Sequence, residues 1–277
     1  IAFFGGSFTA IDRDYMIELL SSAQEFIGEN GFKGIRTSTR PDAVDGEICD
    51  ILEKYHVTAV ELGAQSTNDK VLAMNRRGHT REDIFRSAWL LKERGFELGL
   101  QMMTGLYGSN DEDSIGTARD IISLSPDTAR IYPTVVIENT ELAELYRNGE
   151  YRPQTPEEAA VLCAKILPMF ERAGIKVIRL GLHSGGDVEG SFVAGAYHPA
   201  LREMCEGHIY FDIINRALSG KEKGKYIIYV APREVSKASG QRRCNIEKLR
   251  ELGYECKIKE SAALSARDIT LEKVNLL

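Results

Sequence analysis

Glycines, hydroxyls and arginines recur in this 277-residue chain at spacings suited to holding a polar or anionic ligand. Ile1-Ala2-Phe3-Phe4 runs into Gly5-Gly6-Ser7. A glycine pair at a strand end either lets main-chain N–H groups approach an anion or carboxylate, or forms a tight strand-to-helix turn. Arg36-Thr37-Ser38-Thr39-Arg40-Pro41-Asp42 brings hydroxyls and a guanidinium to a second strand end. Arg40 is placed to pair with a carboxylate- or ribose-bearing ligand, or else with Asp42 or Asp45. Glu61 and Gln65 bracket Leu62-Gly63-Ala64 in a stretch that otherwise reads as a strand buried on both faces. Polar groups there need partners, either a polar ligand or an internal arginine such as Arg130 or Arg179. Asn75-Arg76-Arg77-Gly78-His79 then reads as a basic turn between helices, with His79 a packing or capping residue. Gly105 and Gly108 follow a further strand that carries Met103, but they make no complete dinucleotide fingerprint. Arg130 and Tyr132 sit on one later strand, Arg179 and His183 on or after another.

Other chemistries lack machinery. No Ser/His/Asp set at a nucleophile elbow, no P-loop and no HExxH is present, so conventional hydrolase chemistry is not indicated. Cys49, Cys163, Cys205, Cys244 and Cys256 are scattered, odd in number and outside metal-finger spacing, as expected for reduced thiols, and no metal site is assigned within the chain. The net charge of −6 and pI near 5.6 give no global basic field, though a local patch is compatible with them. No apolar run approaches the ~18 residues of a membrane helix, and no signal peptide is seen; the chain reads as cytoplasmic, without a membrane partner.

The elements that must position these residues alternate. Strands are predicted at 1–4, 34–39, 57–63, 96–104, 128–134 and 175–181. Helical patterns lie between them: Met16, Leu19, Leu20, Ala23, Phe26 and Ile27 share one face, as do Ile84, Ala88 and Leu91. Further helices are expected at 45–54, 112–123 and 156–173. Such βα units imply an α/β fold with a parallel sheet, and six strand ends rich in polar residues and glycine favour a partial barrel over an open sheet. Residues 1–219 read as this barrel. A lysine-rich linker at 220–225 leads to a small βααβ unit, 220–277, in which Lys237, Arg242, Arg243 and Lys248 gather around Gly240. They form either a solvated basic face or a nucleic-acid contact.

In order, FFGGSFT, STRPD, ELGAQS…NRRGHT, MMTGLYGS and RIYPTVVIENTELAELYRNGEYRPQTPEEA resemble the radical S-adenosylmethionine enzymes, in the branch containing the catalytic subunit of Elongator. The resemblance implies a partial (βα)₆ TIM-like barrel and a 5′-deoxyadenosyl radical that abstracts hydrogen from substrate. It implies S-adenosylmethionine contacts at Gly5, Gly6, Ser7, Thr39, Arg40, Gln65, Arg77, Met103, Gly105 and Tyr132, with Glu61, Arg130 and Arg179 toward substrate. It also implies a 4Fe–4S cluster and a reductant protein of the flavodoxin or ferredoxin type. No CxxxCxxC occurs in the chain, so the first strand and the cluster cysteines are expected upstream of Ile1, and this stretch by itself is expected to be inactive. About 58 residues follow Ser219, too few for the acetyltransferase domain of the Elongator branch. They resemble instead a KH-type RNA-binding unit whose GxxG turn is degenerate, Arg243 replacing the second glycine. Lys237, Gly240, Arg242 and Arg243 are its candidate contacts to RNA.

The expected function is radical chemistry on RNA, such as tRNA. Two alternatives stand beside it: a small-molecule enzyme of the anaerobic coproporphyrinogen oxidase type, and a non-enzymatic nucleic-acid-binding or scaffold protein on a degenerate barrel.

Overall fold

The structure, a computed structural model, describes residues 1–182 and 190–274. His183 lies outside the described residues. Contacts divide the chain into two compact units, Ile1–Gln154 with Ile166–Tyr197, and Thr155–Lys165 with His198–Leu277.

The first unit is a curled, six-stranded, all-parallel sheet. Its strands are β1 (Ala2–Phe3), β2 (Ile35–Thr39), β3 (Val57–Gln65), β4 (Glu97–Thr104), β5 (Thr128–Pro133) and β7 (Lys176–Leu180), adjacent in chain order. β1 and β7 are edges, so the fold is the partial (βα) barrel that the alternation predicts. Helices α1 (Arg13–Gln24), α2 (Gly46–Lys54), α3 (Asp69–Met74), α4 (Arg81–Glu93), α5 (Asp111–Ser123), α6 (Glu141–Arg147) and α7 (Pro156–Arg172) follow the strands.

Local chemistry sets the helix starts. Asp45 accepts the Ile48 N–H at 2.8 Å to open α2. Reciprocal capping boxes, Thr80 with Asp83 and Asn110 with Asp113, open α4 and α5. α1 ends at Gln24, earlier than the periodicity suggests, and leaves Phe26 exposed.

Period-two alternation divides the sheet into two faces. Val60, Leu62, Ala64, Leu98, Leu100, Met102, Ala129 and Ile131 are buried, as are Ile48 and Leu52 of α2, Ile84 and Leu91 of α4, and Ile121 of α5. The other face carries Arg36, Ser38, Glu61, Gly63, Gly99, Gln101, Arg130 and Tyr132. A short antiparallel pair, β6 (Val135–Ile137) with β8 (Phe192–Gly195), is an addition that the sequence pattern did not indicate.

In the second unit, α8 (Leu201–Leu218), β9 (Gly224–Val230), α9 (Val235–Ser239), α10 (Cys244–Glu251) and β10 (Tyr254–Glu260) are followed by β11 (Ile269–Lys273). The sheet order is β10-β9-β11, with β10 parallel and β11 antiparallel to β9. Tyr210, Ile214 and Leu218 of α8 pack with Tyr226, Ile228, Val230, Ala238, Leu249 and Tyr254 to form its core. The βααβ order is as read from the sequence, while α8 and β11 complete the unit.

Two glycines test this packing in opposite directions. A Cβ on Gly99 would lie 2.7 Å from Glu61 Cγ and 3.1 Å from Thr128 Oγ1, whereas a Cβ on Gly116, inside α5, meets nothing within 4 Å. Gly99→Ala should therefore lose about 1–3 kcal/mol of stability. Gly116→Ala should gain about 0.5–1 kcal/mol from helix propensity. Urea unfolding of the two variants beside wild type reads both signs.

Candidate functional site

The C-terminal ends of β2, β3 and β4 and the turns after β1 and α3 enclose a cavity of about 360 Å³. Gly6, Ser7, Thr39, Arg40, Gln65 and Arg77, all implicated from the sequence, line it together. So do Ser38, Gly63, Arg76 and Gln101, which sequence reasoning did not single out. A signal for two of these was present: Ser38 shares the period-two face of Arg36 and Arg40, and Gln101 is polar between Leu100 and Met102. Gly5, Met103, Gly105 and Tyr132 do not line this cavity.

Each wall has a local cause. Gly5 and Gly6 have φ of +105° and +153°, and a Cβ on either would meet nothing within 4 Å, so the turn leaves open space beside the main chain. At the end of β3 the register with β4 shifts between Gly63 and Gln65, and Gln65 adopts φ +62°. A bulge of this kind re-aims a side chain near a site, and left-handed backbone at a non-glycine residue stores strain of about 1–3 kcal/mol. The Gln65 amide folds back to within 2.7 Å of where a Gly63 Cβ would stand, so a side chain at 63 would displace that amide from its present position. Thr39 already shares its hydroxyl with Thr9 at 2.6 Å, and Thr9 donates onward to the Ala43 carbonyl.

Three guanidinium groups border the cavity, with different commitments. Arg40 is forked onto Asp42, which raises its pKa, the hydrogen bond contributing more than charge attraction. Arg76 pairs with Glu141 at 2.7 Å. Arg77 has no carboxylate partner among the described residues, and its buried Nε has no hydrogen-bond acceptor. Burial, then repulsion from Arg40, lowers its pKa. The Ser38 hydroxyl is also buried without a partner. One uncompensated cation and one unsatisfied hydroxyl in a glycine-walled cavity call for a ligand that carries an anionic group and further polar groups.

Deeper on the same sheet face, Glu61 is 1% exposed. It accepts from Arg130 at 2.8 Å, Arg36 at 3.1 Å and Gln101 at 3.2 Å. Arg130 also donates to the Tyr132 hydroxyl at 3.2 Å and lies 5.4 Å from the Phe4 ring centroid. Burial opposes its charge, but the bonds to Tyr132 and Glu61 outweigh burial and raise its pKa. Of the two internal arginines named as partners for Glu61, Arg130 takes the role, joined by Arg36. Arg179 instead donates its Nε to the Gly181 carbonyl at 3.0 Å. His79 is buried against the Ala64 carbonyl at 3.1 Å, a packing residue.

Two family models match this chain: the Radical SAM superfamily over residues 1–121 and the Radical_SAM C-terminal domain over residues 126–210. The chain belongs to the radical S-adenosylmethionine superfamily. Among curated relatives it is 36% identical over 140 residues to a tRNA uridine(34) acetyltransferase of Methanocaldococcus jannaschii, a match covering 48% of this chain and 26% of that protein. It is 31% identical over 192 residues to human Elongator complex protein 3, covering 60% of this chain and 34% of the relative. The chain thus spans about a quarter to a third of these relatives. Its fold is similar to that of archaeal Methanocaldococcus infernus Elp3, with a TM-score of 0.63 at 24% identity over 76% of this chain and 57% of the other. The coproporphyrinogen III oxidase HemN of Escherichia coli also shares the fold, with a TM-score of 0.51 at 17% identity over 62% and 40% of the two chains.

The superfamily implies a 4Fe–4S cluster, and the described residues do not fit one. No group of three or more His, Cys, Asp or Glu among them is arranged to hold a metal ion. Cys49, Cys163 and Cys205 are buried in α2, α7 and α8, while Cys244 and Cys256 are half-buried; all but Cys49 belong to the second unit. None lines the cavity. Burial pushes the Cys49 thiol up to about 11 and Cys163 to about 12, and raises Cys205 as well. No helix among the described residues is long and apolar enough to cross a membrane.

In the second unit, Lys237 is held by Glu234 at 2.8 Å. Gly240 (φ +74°) is buried, and a Cβ there would meet Cys244 Sγ at 2.7 Å. Arg242 and Arg243 are exposed and both left-handed, at φ 52° and 65°. The turn therefore presents two arginines on strained backbone.

Thiol titration checks the cysteine assignment. At pH 8 an aromatic disulfide reagent should modify at most the two half-buried thiols of the folded protein, and all five in denaturant. Rapid reaction of three or more in the native state would contradict the burial described.

Proposed function

We propose that the cavity at the ends of β2, β3 and β4 holds S-adenosylmethionine, and that the chain is part of a radical enzyme acting on RNA, with tRNA as the preferred class. The observation that carries the first half is Arg77: a partly buried guanidinium lacking a carboxylate, beside a glycine turn and an unsatisfied Ser38 hydroxyl. S-adenosylmethionine fits this donor set, having one carboxylate for Arg77 and ribose hydroxyls for Ser38 and Gln101. The volume lies within the usual ~300–1,000 Å³ of small-molecule sites. In this superfamily the bound cofactor is the source of a 5′-deoxyadenosyl radical that abstracts hydrogen from substrate.

The chain's own residues supply binding and orientation. Gly5, Gly6 and Ser7 leave the main chain accessible to the cofactor's amino-acid end, and Gln65 on its bulge closes one wall. Met103, Gly105 and Tyr132 do not line the cavity and remain candidates for the rest of the cofactor channel, with Glu61, Arg130 and Arg179 as candidates toward substrate. Arg179, lacking a carboxylate partner among the described residues, is a candidate contact for an anionic substrate. The RNA half rests on relatives named for tRNA uridine(34) acetylation and for Elongator, with Lys237, Gly240, Arg242 and Arg243 as candidate contacts in the second unit. A cytoplasmic setting and a flavodoxin- or ferredoxin-type reductant accompany this reading.

Calorimetry of S-adenosylmethionine binding to the 277-residue protein tests it. Wild type should bind. Arg77→Ala removes a charged hydrogen-bond partner worth about 1.5–3 kcal/mol and should weaken binding about 10- to 100-fold. Arg40→Ala should lose less, because Arg40 is already committed to Asp42. Absence of binding, or wild-type affinity in Arg77→Ala, overturns the assignment. Because its cysteines do not converge, this stretch alone should yield no 5′-deoxyadenosine when reduced without oxygen, as chromatography of the reaction would show.

A further inference from the structure

Residues 198–277 carry 15 Lys and Arg against 11 Asp and Glu, a net +4 in a chain whose total is −6. The excess has a focus. A cavity of about 620 Å³ follows β10, lined by Lys225, Arg250, Lys257 and Lys259 against a single carboxylate, Glu255. Glu255 is engaged by Lys225 at 3.3 Å. Arg250, Lys257 and Lys259 are exposed and have no carboxylate partner among the described residues. Ile227 and Ile246 give the groove an apolar floor. β10 pairs only with β9, so its outer edge is unpaired within the described sheet.

The Gly240–Arg243 turn, the other basic feature, has committed two of its four main-chain donors. The Arg243 N–H donates to the Gly240 carbonyl at 2.9 Å and the Cys244 N–H to the Gln241 carbonyl. The Gly240 N–H donates to the Ser236 and Lys237 carbonyls. That leaves the turn two N–H groups, those of Gln241 and Arg242, for a phosphate.

We propose that the groove along β10, rather than that turn, is the main track for a single-stranded RNA segment; this rests on the RNA reading above. Lys257 and Lys259 lie two residues apart on one strand face, about 6.6 Å along it, a step comparable to that between phosphates of an extended strand. A cationic groove with an apolar floor follows a sugar–phosphate backbone while leaving the bases to packing contacts. Charge decides the occupant: with three unpaired cations and one neutralised carboxylate, a polyanion is stabilised there. The competing role for edge lysines, blocking edge-to-edge strand pairing, predicts no effect on RNA.

The test is fluorescence anisotropy of a labelled single-stranded RNA of about 16 nucleotides against the full 277-residue protein across a salt series. Wild type should bind with a slope of log K against log salt near −2, as about three neutralised phosphates require. Lys257→Glu with Lys259→Glu should weaken binding at least tenfold and flatten the slope by about 1.4. Lys257→Arg with Lys259→Arg should retain it, and Arg242→Ala with Arg243→Ala should lose less than the glutamate pair. Circular dichroism melting confirms that each variant is folded. If the folded glutamate variant binds like wild type, the groove assignment falls and the RNA reading stands. If wild type binds no RNA at low salt, both fall. If polyglutamate of equal charge displaces the RNA as well as unlabelled RNA does, the groove takes acidic peptides and the proposal is overturned.

Discussion

A carboxylate buried in the middle of a parallel sheet has to be neutralised where it stands, because an isolated charge in that environment costs several kcal/mol. Glu61 is that carboxylate, and much of the concave face is organised around it. Arg36 reaches it from β2, Gln101 from β4 and Arg130 from β5, so one side chain on β3 ties four strands together. Gly99 is small because Glu61 crosses over it. Gln101 extends the network to the cavity at the strand ends, and Arg130 extends it to Tyr132 and Phe4. Polar satisfaction thus holds the inside of the barrel in one arrangement, while apolar packing of the outer face against the helices supplies the cohesion.

The cavity adds a second layer to this order. Two of its three arginines are matched by acids, Arg40 by Asp42 and Arg76 by Glu141, and the third is not. Matching the first two confines the uncompensated charge to Arg77, which gives the site a direction as well as a sign. The bulge at Gly63–Gln65 and the open glycine turn at Gly5–Gly6 are the backbone counterparts: both depart from regular strand geometry where the ligand would sit. At Gly63–Gln65 strain of this kind persists because β3, hydrogen-bonded to β2 on one side and β4 on the other, over-determines it.

The second unit has a different electrostatic character. Its apolar core is built by one face of α8 and one face of a three-stranded sheet, and its basic residues gather on what that core leaves outside.

Much of this was legible in the residues themselves. Alternating apolar runs and amphipathic helices determined the α/β class, because burial of a two-sided sheet demands them. Asp45, Thr80 and Asn110 marked helix starts, since their side chains satisfy local N–H groups. The ordered motifs identified the superfamily and six of the ten residues that line the cavity. Tertiary structure decided the rest. Whether Glu61 faced a ligand or an arginine, and which arginine, depended on strands brought together from 25 to 69 residues away. Which of Arg40, Arg76 and Arg77 stayed uncompensated depended on Asp42 and Glu141, one local and one 65 residues distant in sequence. β11 and the groove along β10 were equally invisible, because an edge exists only once a sheet has chosen its strand order. Short-range pattern fixes what each segment becomes, whereas charge compensation is a property of neighbours that only the folded chain supplies.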